Sequence, residues 1–267
     1  MKTATDPAIL VVSCDHYRDL WEPFFTLFER FWVDCPFPVY LLSNTVTCSR
    51  RGVTALRSGR DVSWSDSLAA ALRALPAEYV FLFLDDLFLV RPVENLELAH
   101  WFRWLEQRGG NCLRLNGSPR PDRRLDARVG VVSRGTLYRT STVLSLWKRQ
   151  VLLKLLAPGE SAWEFEIAGS ARSDAFDGFY ATSTARLQVI NTVIKGKWRR
   201  TALARVRALG VEPDLGRRPV MTRLEHASLA LLRLRTWGLN RFPPLWRRRV
   251  RELALGSKRT GAREVRT

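Results

Sequence analysis

Short runs of apolar residues, separated by polar turns and amphipathic stretches, organise most of this chain. The longest holds six apolar or aromatic residues without a polar break, over residues 79–84. Residues 9–14 and 39–43 each begin with a shorter run, of four apolar or aromatic residues before a serine. Such runs, rich in branched and aromatic residues, predict strands that are buried on both faces of a sheet.

The first two runs flank an amphipathic stretch. Over residues 20–31, apolar side chains recur at three- and four-residue intervals, which predicts a helix. A strand, a helix and a strand within about 35 residues are typical of a βαβ unit. The sequence therefore predicts an α/β fold, with a mixed, mostly parallel Rossmann-type sheet flanked by helices.

The remaining patterns extend this sheet. A helix is expected over 67–75, with Ser63 or Ser65 as its N-cap. Further predicted elements are strands at 53–56, 112–115 and 189–194, helices at 96–107, 142–156 and 201–209, and a hairpin of 129–132 with 135–140.

Composition and charge divide the chain unevenly. Its 267 residues are 46% hydrophobic, enough for one large domain with an appendage. From Arg217 onward there are 14 Arg and Lys residues against 3 Glu, so most of the net charge of +17 lies there. We therefore predict a catalytic domain over 1–215 and a basic, amphipathic helical extension over 216–267, whose charge implies an anionic partner.

The cysteines and the hydropathy bear on localisation. Four widely spaced cysteines form no CxxC pair, which suits a reducing cytosol. No apolar run approaches the ~20 residues that a membrane span needs. Arg-rich helices with Trp and Leu suit an anionic membrane interface. We expect a cytoplasmic protein that binds peripherally to the inner face of the membrane through 216–267.

Two adjacent carboxylates, Asp85 and Asp86, directly follow the longest apolar run. In open α/β sheets, ligands bind outside the carboxyl ends of the strands. Paired acids at such a position suit Mg²⁺ or Mn²⁺, although they can equally cap the next element.

Five short motifs together resemble bacterial GT-A-fold glycosyltransferases of the polysaccharide (capsule or O-antigen) biosynthesis type. They are Ser13-Cys14-Asp15, Ser63-Trp64-Ser65-Asp66, Leu84-Asp85-Asp86, Trp163-Glu164-Phe165-Glu166 and Lys195-Gly196-Lys197-Trp198. The family's Asp-x-Asp motif here reads Leu84-Asp85-Asp86, so only Asp86 keeps a motif acid. The resemblance implies a nucleotide-sugar donor, a divalent metal, and sugar transfer to a saccharide or lipid-linked acceptor.

On that resemblance, Asp86 binds the metal, and Asp85 binds the donor ribose or a metal-bound water. Asp15, Asp61 and Trp64 are the other candidate donor-binding residues, although Asp15 can also start a turn and Trp64 can anchor a helix in the core.

Basic residues can neutralise the departing diphosphate. Lys195 and Lys197 are placed after the last core strand, either for this role or as a solvated loop.

An inverting transfer needs a base for the acceptor hydroxyl. Glu164 is the preferred candidate, with Glu166 as support or acceptor ligand. The two side chains would share one face of a strand but diverge on a helix, because each residue turns a helix by ~100°.

The alternative function is nucleic-acid binding through the basic C-terminal region. The sequence contains no helix-turn-helix, RRM or zinc-finger motif, so no nucleic acid is expected as a partner. It also lacks a P-loop, a GxGxxG motif and a GxSxG nucleophile elbow.

Overall fold

A computed structural model describes residues 7–118 and 120–225. Within these ranges, the strands are β1 Ala8–Val12, β2 Val39–Ser43, β3 Val53–Arg57, β4 Tyr79–Leu84, β5 Leu87–Leu89, β6 Cys112–Arg114, β7 Arg123–Arg124, β8 Val129–Val131, β9 Ser145–Lys148, β10 Phe179–Thr182, β11 Val189–Asn191, β12 Val193–Ile194 and β13 Lys197–Trp198.

Helices fill the connections between these strands. They are α1 Trp21–Phe31, α2 Trp64–Ala74, α3 Asn95–Gln107, α4 Arg149–Leu155 and α6 Arg200–Ala208. Helix α5 combines an α-helical turn, Ala162–Glu164, a π-helical stretch, Phe165–Gly169, and a final α-helical turn, Ser170–Arg172. A 3₁₀ segment, Asp15–Leu20, leads into α1.

The main sheet has nine strands in the order β3-β2-β1-β4-β9-β6-β10-β8-β7. The pairs among β3, β2, β1 and β4 are parallel, as is the pair of β6 with β10. Strand β9 runs antiparallel to both of its neighbours, and so does β8. Seven of the nine strands therefore point the same way, which confirms the predicted α/β fold with a mixed, mostly parallel sheet.

Both faces of this sheet are buried because successive side chains of a strand point to opposite faces. On β4, Phe81 and Phe83 belong to a core cluster shared with α1, α3 and α6, while Val80 and Leu82 belong to a second cluster with α2 and α4. This two-sided burial is the reason why the central strands read as continuous apolar runs.

The predicted helix over 142–156 is wrong. This segment instead forms strand β9 and the shorter helix α4. Leu144 has a φ of 45°, which interrupts any helix there. In β9, Leu146 and Trp147 point into opposite core clusters. Pairing of this segment with β4 and β6 therefore decides its conformation, although the spacing of its apolar residues is typical of a helix.

The predicted hairpin of 129–132 with 135–140 is also wrong. Strand β8 pairs with β7 and β10 instead. Residues 135–140 form turns, in which Arg139 donates hydrogen bonds to the carbonyls of Val132 and Phe176 at 3.0 and 2.9 Å. The buried guanidinium satisfies carbonyls that a strand partner would otherwise satisfy.

Beyond the predicted boundary at 215, the described residues pack against the sheet domain. Val220 bridges to Trp198, and Met221 donates its backbone N–H to the Trp198 carbonyl at 2.9 Å. The rest of the predicted extension, from 226 onward, lies outside the described residues, as do the amphipathic helices predicted there. Among the described helices, none is long and apolar enough to cross a bilayer.

Candidate functional site

A cavity of about 390 Å³ lies at the carboxyl ends of the parallel strands β1, β2 and β4. Its lining residues come from these strand ends, from the 3₁₀ segment before α1, from α2 and the loop before it, and from the start of α5: Val12, Ser13, Cys14, Tyr17, Leu42, Asp61, Trp64, Ser67, Leu84, Asp85, Asp86 and Ala162. The cavity therefore lies at the edge of the sheet where α/β folds bind ligands, and both Asp85 and Asp86 line it.

Asp85 is the final acceptor in a chain of two hydrogen bonds. The Ser13 hydroxyl donates to the Asp85 carboxylate, and the Trp21 indole N–H donates to Ser13 Oγ at 2.7 Å. Burial raises the pKa of Asp85 well above its usual value, and the adjacent charge of Asp86 adds to the shift. Ser13 belongs to the Ser13-Cys14-Asp15 motif, but its contact with Asp85 has no signal in the sequence because the two residues are 72 positions apart.

Asp86 is held by its backbone and not by its side chain. Its carbonyl accepts hydrogen bonds from the Thr192 N–H at 2.8 Å and the Thr192 hydroxyl at 2.9 Å. Its Oδ1 is buried without a hydrogen-bond partner. Burial raises the pKa of this carboxyl to about 6. An acceptor in this condition costs free energy unless a ligand satisfies it.

This donor set fits a hard divalent cation. Over residues 7–118 and 120–225, no three His, Cys, Asp or Glu side chains cluster as a closed metal site. Mg²⁺, however, is usually held by one or two carboxylates and completes its shell with water and substrate phosphates. The orphaned Oδ1 of Asp86, with Asp85 beside it, matches such an open site.

A buried cation from far along the chain stands near these acids. Arg218 donates to both carboxylate oxygens of Asp19 at 2.9 Å, and both side chains are only 3% exposed. Its guanidinium also lies 4.2 Å from the centre of the Tyr17 ring, and Tyr17 lines the cavity. The charge of Arg218 acts to lower the pKa of Asp85 and Asp86, against the larger effect of burial. Sequence reasoning missed this residue because it pairs across about 200 positions.

Asp61 and Trp64 line the same cavity as the two acids. The Ser63 hydroxyl accepts the Asp66 N–H at 3.1 Å and so caps α2, which fixes Trp64 as the first helical residue. The Trp64 ring lies 5.5 Å from that of Phe165, in the π-helical part of α5. The two elements thus frame one side of the cavity.

Asp15 has a different role in the structure. Its carboxylate accepts the backbone N–H groups of Thr45 and Val46 and the Thr45 hydroxyl, and it is not among the cavity's lining residues. Burial acts to raise its pKa, but these hydrogen bonds outweigh burial and lower it. Asp15 therefore shapes the loop after β2.

Neither predicted lysine lines the cavity. Lys195 and Gly196 have φ values of 50° and 74°, as in the type I′ turn of a two-residue hairpin, and they connect β12 to β13. Lys197 forms an ion pair with Glu225. Trp198 is fully buried in the core.

Glu164 and Glu166 lie on a helix, so their side chains diverge. Glu164 forms a capping box with Ser161, accepting the Ser161 N–H and hydroxyl, each at 2.8 Å. Glu166 points inward and accepts the Thr142 N–H at 2.8 Å and hydroxyl at 3.0 Å. Burial raises the pKa of Glu166. Neither carboxylate is among the residues that line the cavity.

Similarity to known proteins is low. Neither a protein-family model nor a curated protein matches the chain. The solved structures that align with it include S. aureus TarS 1–349, at 13% identity over 68% of this chain and 60% of that one, with a TM-score of 0.42. The complex of the same fragment with UDP-GlcNAc aligns at 12% identity over 79% of this chain and 68% of that one, with a TM-score of 0.44.

A UTP-bound UGPase from Acinetobacter baumannii aligns at 11% identity, over 85% of this chain and 99% of that one, with a TM-score of 0.48. The chain thus spans about 60% of the TarS fragment in the first of these alignments. Each of these alignments has a TM-score below 0.5 and an identity below 25%.

Proposed function

We propose that this chain is a nucleotide-sugar-dependent glycosyltransferase of the GT-A type that acts in cell-surface polysaccharide synthesis. The observation that carries the proposal is the buried, unsatisfied Oδ1 of Asp86, beside Asp85 in a cavity at the carboxyl ends of β1, β2 and β4. Its volume, about 390 Å³, falls in the range of small-molecule sites.

In this proposal, the donor's nucleotide lies against Asp61 and Trp64, and its diphosphate lies towards Asp86. Asp86 would hold Mn²⁺ or Mg²⁺, with Asp85 beside it, and the bound cation would neutralise charge on the departing diphosphate. Ser13 fixes the Asp85 carboxylate, and Trp21 fixes Ser13, so the floor of the site is preorganised.

Glu164 is the candidate base for the acceptor hydroxyl. Glu164 lies two residues beyond Ala162, which lines the cavity, but its carboxylate is engaged in the capping box of α5. To accept a proton from an acceptor, it would have to leave Ser161. The hypothesis of Glu164 as general base therefore requires a rearrangement at the start of α5.

The acceptor and the location belong to the same proposal. A saccharide or lipid-linked acceptor at an anionic membrane would explain why residues 226–267 carry eleven Arg and Lys residues against two Glu. Transfer would then take place at the inner face of the membrane.

The test of the donor site is Asp86→Asn, which keeps the shape of the side chain and removes its charge. We expect a panel of sugar nucleotides with Mn²⁺ to show nucleotide release by the wild type and a loss of at least about 100-fold in the variant. The unfolding temperature of the variant should equal that of the wild type or lie slightly above it, because the substitution removes a buried carboxylate oxygen that has no partner.

Asp34→Asn, at an exposed acid outside the cavity, is the matched control and should release nucleotide like the wild type. Full release by Asp86→Asn, or by the wild type in EDTA, would refute the metal role. If no donor is turned over or stabilises the wild type, the transferase proposal itself fails.

A further inference from the structure

An exposed aromatic side chain lies in the first turn of α5, the helix whose first residue lines the cavity. Trp163 directly follows the cavity-lining Ala162 and leaves 56% of its surface in solvent. An exposed indole offers an apolar ring face, with an N–H at its edge, to a ligand. The Tyr138 ring contacts it edge-on, with centroids 6.0 Å apart and an interplanar angle of 62°.

The backbone that presents Tyr138 is strained and firmly supported. Tyr138 has a φ of 58°, which is rare for an aromatic residue. Its carbonyl accepts a hydrogen bond at 3.0 Å from Arg114, which is fully buried. The next residue, Arg139, is buried as well and donates to the Ser173 hydroxyl at 3.1 Å. Strain that is held by buried groups tends to occur where geometry serves a function.

The backbone that presents Trp163 is also specialised. The Ser161–Glu164 capping box fixes the first turn of α5, and the π-helical stretch Phe165–Gly169 follows at once. Single π-helical turns inside α-helices are frequently found at functional sites. Two distant segments therefore place two rings together, one of them a single residue beyond the cavity-lining Ala162.

We propose that Trp163 and Tyr138 form a platform that binds a pyranose ring of the acceptor saccharide. The face of an aromatic ring carries negative potential and attracts the C–H bonds that line one face of a pyranose. Choosing a saccharide as the ligand rests on the function proposed above. The position beside Ala162 would direct the acceptor's hydroxyl towards the donor cavity.

The test begins with the full chain on a glycan array that presents neutral and acidic oligosaccharides of hexose and N-acetylhexosamine units. The saccharide that binds best is then titrated calorimetrically into the wild type, Trp163→Ala, Trp163→Leu and Trp163→Phe. We expect roughly ten-fold weaker binding for the Ala and Leu variants and smaller losses for Phe, which keeps a flat ring.

Leucine is the matched control, since it restores apolar surface without an aromatic face. Tyr138→Asn is the second variant, because asparagine tolerates a positive φ while the ring is lost. It should weaken binding in the same direction. The three Trp163 variants should unfold at temperatures within a few degrees of the wild type, since Trp163 is largely exposed. The unfolding temperature of Tyr138→Asn is measured alongside, so that weaker binding is told apart from a loss of fold.

Nucleotide-induced thermal stabilisation, measured in parallel with UDP, GDP and Mn²⁺, separates the two proposals. Equal saccharide binding by wild type and Trp163→Ala, or no saccharide bound across the array, would overturn the platform and leave the donor site standing. Saccharide binding that depends on Trp163, without any nucleotide response, would uphold the platform and count against the transferase.

Discussion

At the scale of single residues, acids of the same type differ in what surrounds them. Asp15 has its carboxylate filled by backbone N–H groups, whereas Asp86 has a buried oxygen with no partner. Filled carboxylates stabilise loops and helix ends, while unsatisfied ones in a cavity are available to a ligand. Both are candidate site residues from the sequence, and only their contacts in the structure show that their surroundings differ.

Glu164→Gln tests the base hypothesis. Glutamine can complete a capping box as glutamate does, so the variant should unfold at the wild-type temperature. Because the carboxylate is already engaged at Ser161, we expect nucleotide release and sugar transfer to stay within about three-fold of the wild type, far less than the loss of a general base. Transfer that falls by 100-fold or more, with donor hydrolysis retained, would contradict this expectation and support the base hypothesis.

The raised pKa of Glu166 leads us to expect that the free energy of unfolding depends on pH. Burial raises its pKa above the ordinary value of 4.5, so the folded protein holds this proton more tightly than the unfolded chain does. Stability should therefore fall as the pH rises from below 4.5 through the raised pKa.

In Glu166→Gln, which keeps an acceptor for Thr142, this component should be missing. The measurement is the free energy of unfolding in urea between pH 4 and pH 7, taken as wild type minus variant. A difference that does not change with pH, or that grows in favour of the wild type as pH rises, would contradict the assignment.

At the scale of elements, hydrophobic pattern predicts those strands that are buried on both faces. Strands β1, β2 and β4 are continuous apolar runs because helices cover both sides of the sheet. Strand β9 was missed since its four residues sit inside a helix-like spacing over 142–156. Its state is decided by pairing with β4 and β6, which a local pattern cannot report.

A substitution in the turn between β12 and β13 distinguishes a structural role of Lys195 from a role in binding the donor. Asparagine before glycine is favoured in a type I′ turn, so Lys195→Asn should stabilise the fold by about 0.5 kcal/mol. Because Lys195 does not line the cavity, the affinity for nucleotide should be unchanged. A several-fold weaker nucleotide affinity at low salt, measured by calorimetry, would instead support the predicted contact with the diphosphate.

At the scale of the whole molecule, the chain beyond 215 is not simply an appendage. Residues 216–225 pack against the domain through the Arg218–Asp19 pair and the Val220–Trp198 bridge. The predicted domain boundary at 215 marks where basic residues begin to dominate the composition. The contacts of the described residues show that the folded domain continues to at least Glu225.

Two truncations test this arrangement. A chain that ends after Gly216 leaves Asp19 buried without Arg218, and should lose roughly 3 kcal/mol of unfolding free energy. A chain that ends after Glu225 keeps the Arg218–Asp19 pair and should be more stable than the chain 1–216. It should lose its binding to anionic vesicles, since eleven basic residues are removed.

Arg218→Ala in the full chain is the control: it should share the stability loss and keep vesicle binding. Neutral phosphatidylcholine vesicles control for charge. Unchanged binding of the chain 1–225 to anionic vesicles would refute the membrane role, and wild-type stability of the chain 1–216 would refute the structural role of Arg218.

The sequence by itself determined the α/β class, the central strands and the position of Asp85 and Asp86 at a strand end, because strands buried on both faces produce continuous apolar runs in the sequence. Only the tertiary structure decided which candidates share a cavity. It joined Asp61 and Trp64 to the acids, left Glu164, Lys195 and Lys197 out, and brought Arg218 beside Asp19. The physical reason is that a site is made by contacts between distant segments, and the free energy of those contacts depends on the whole packed chain.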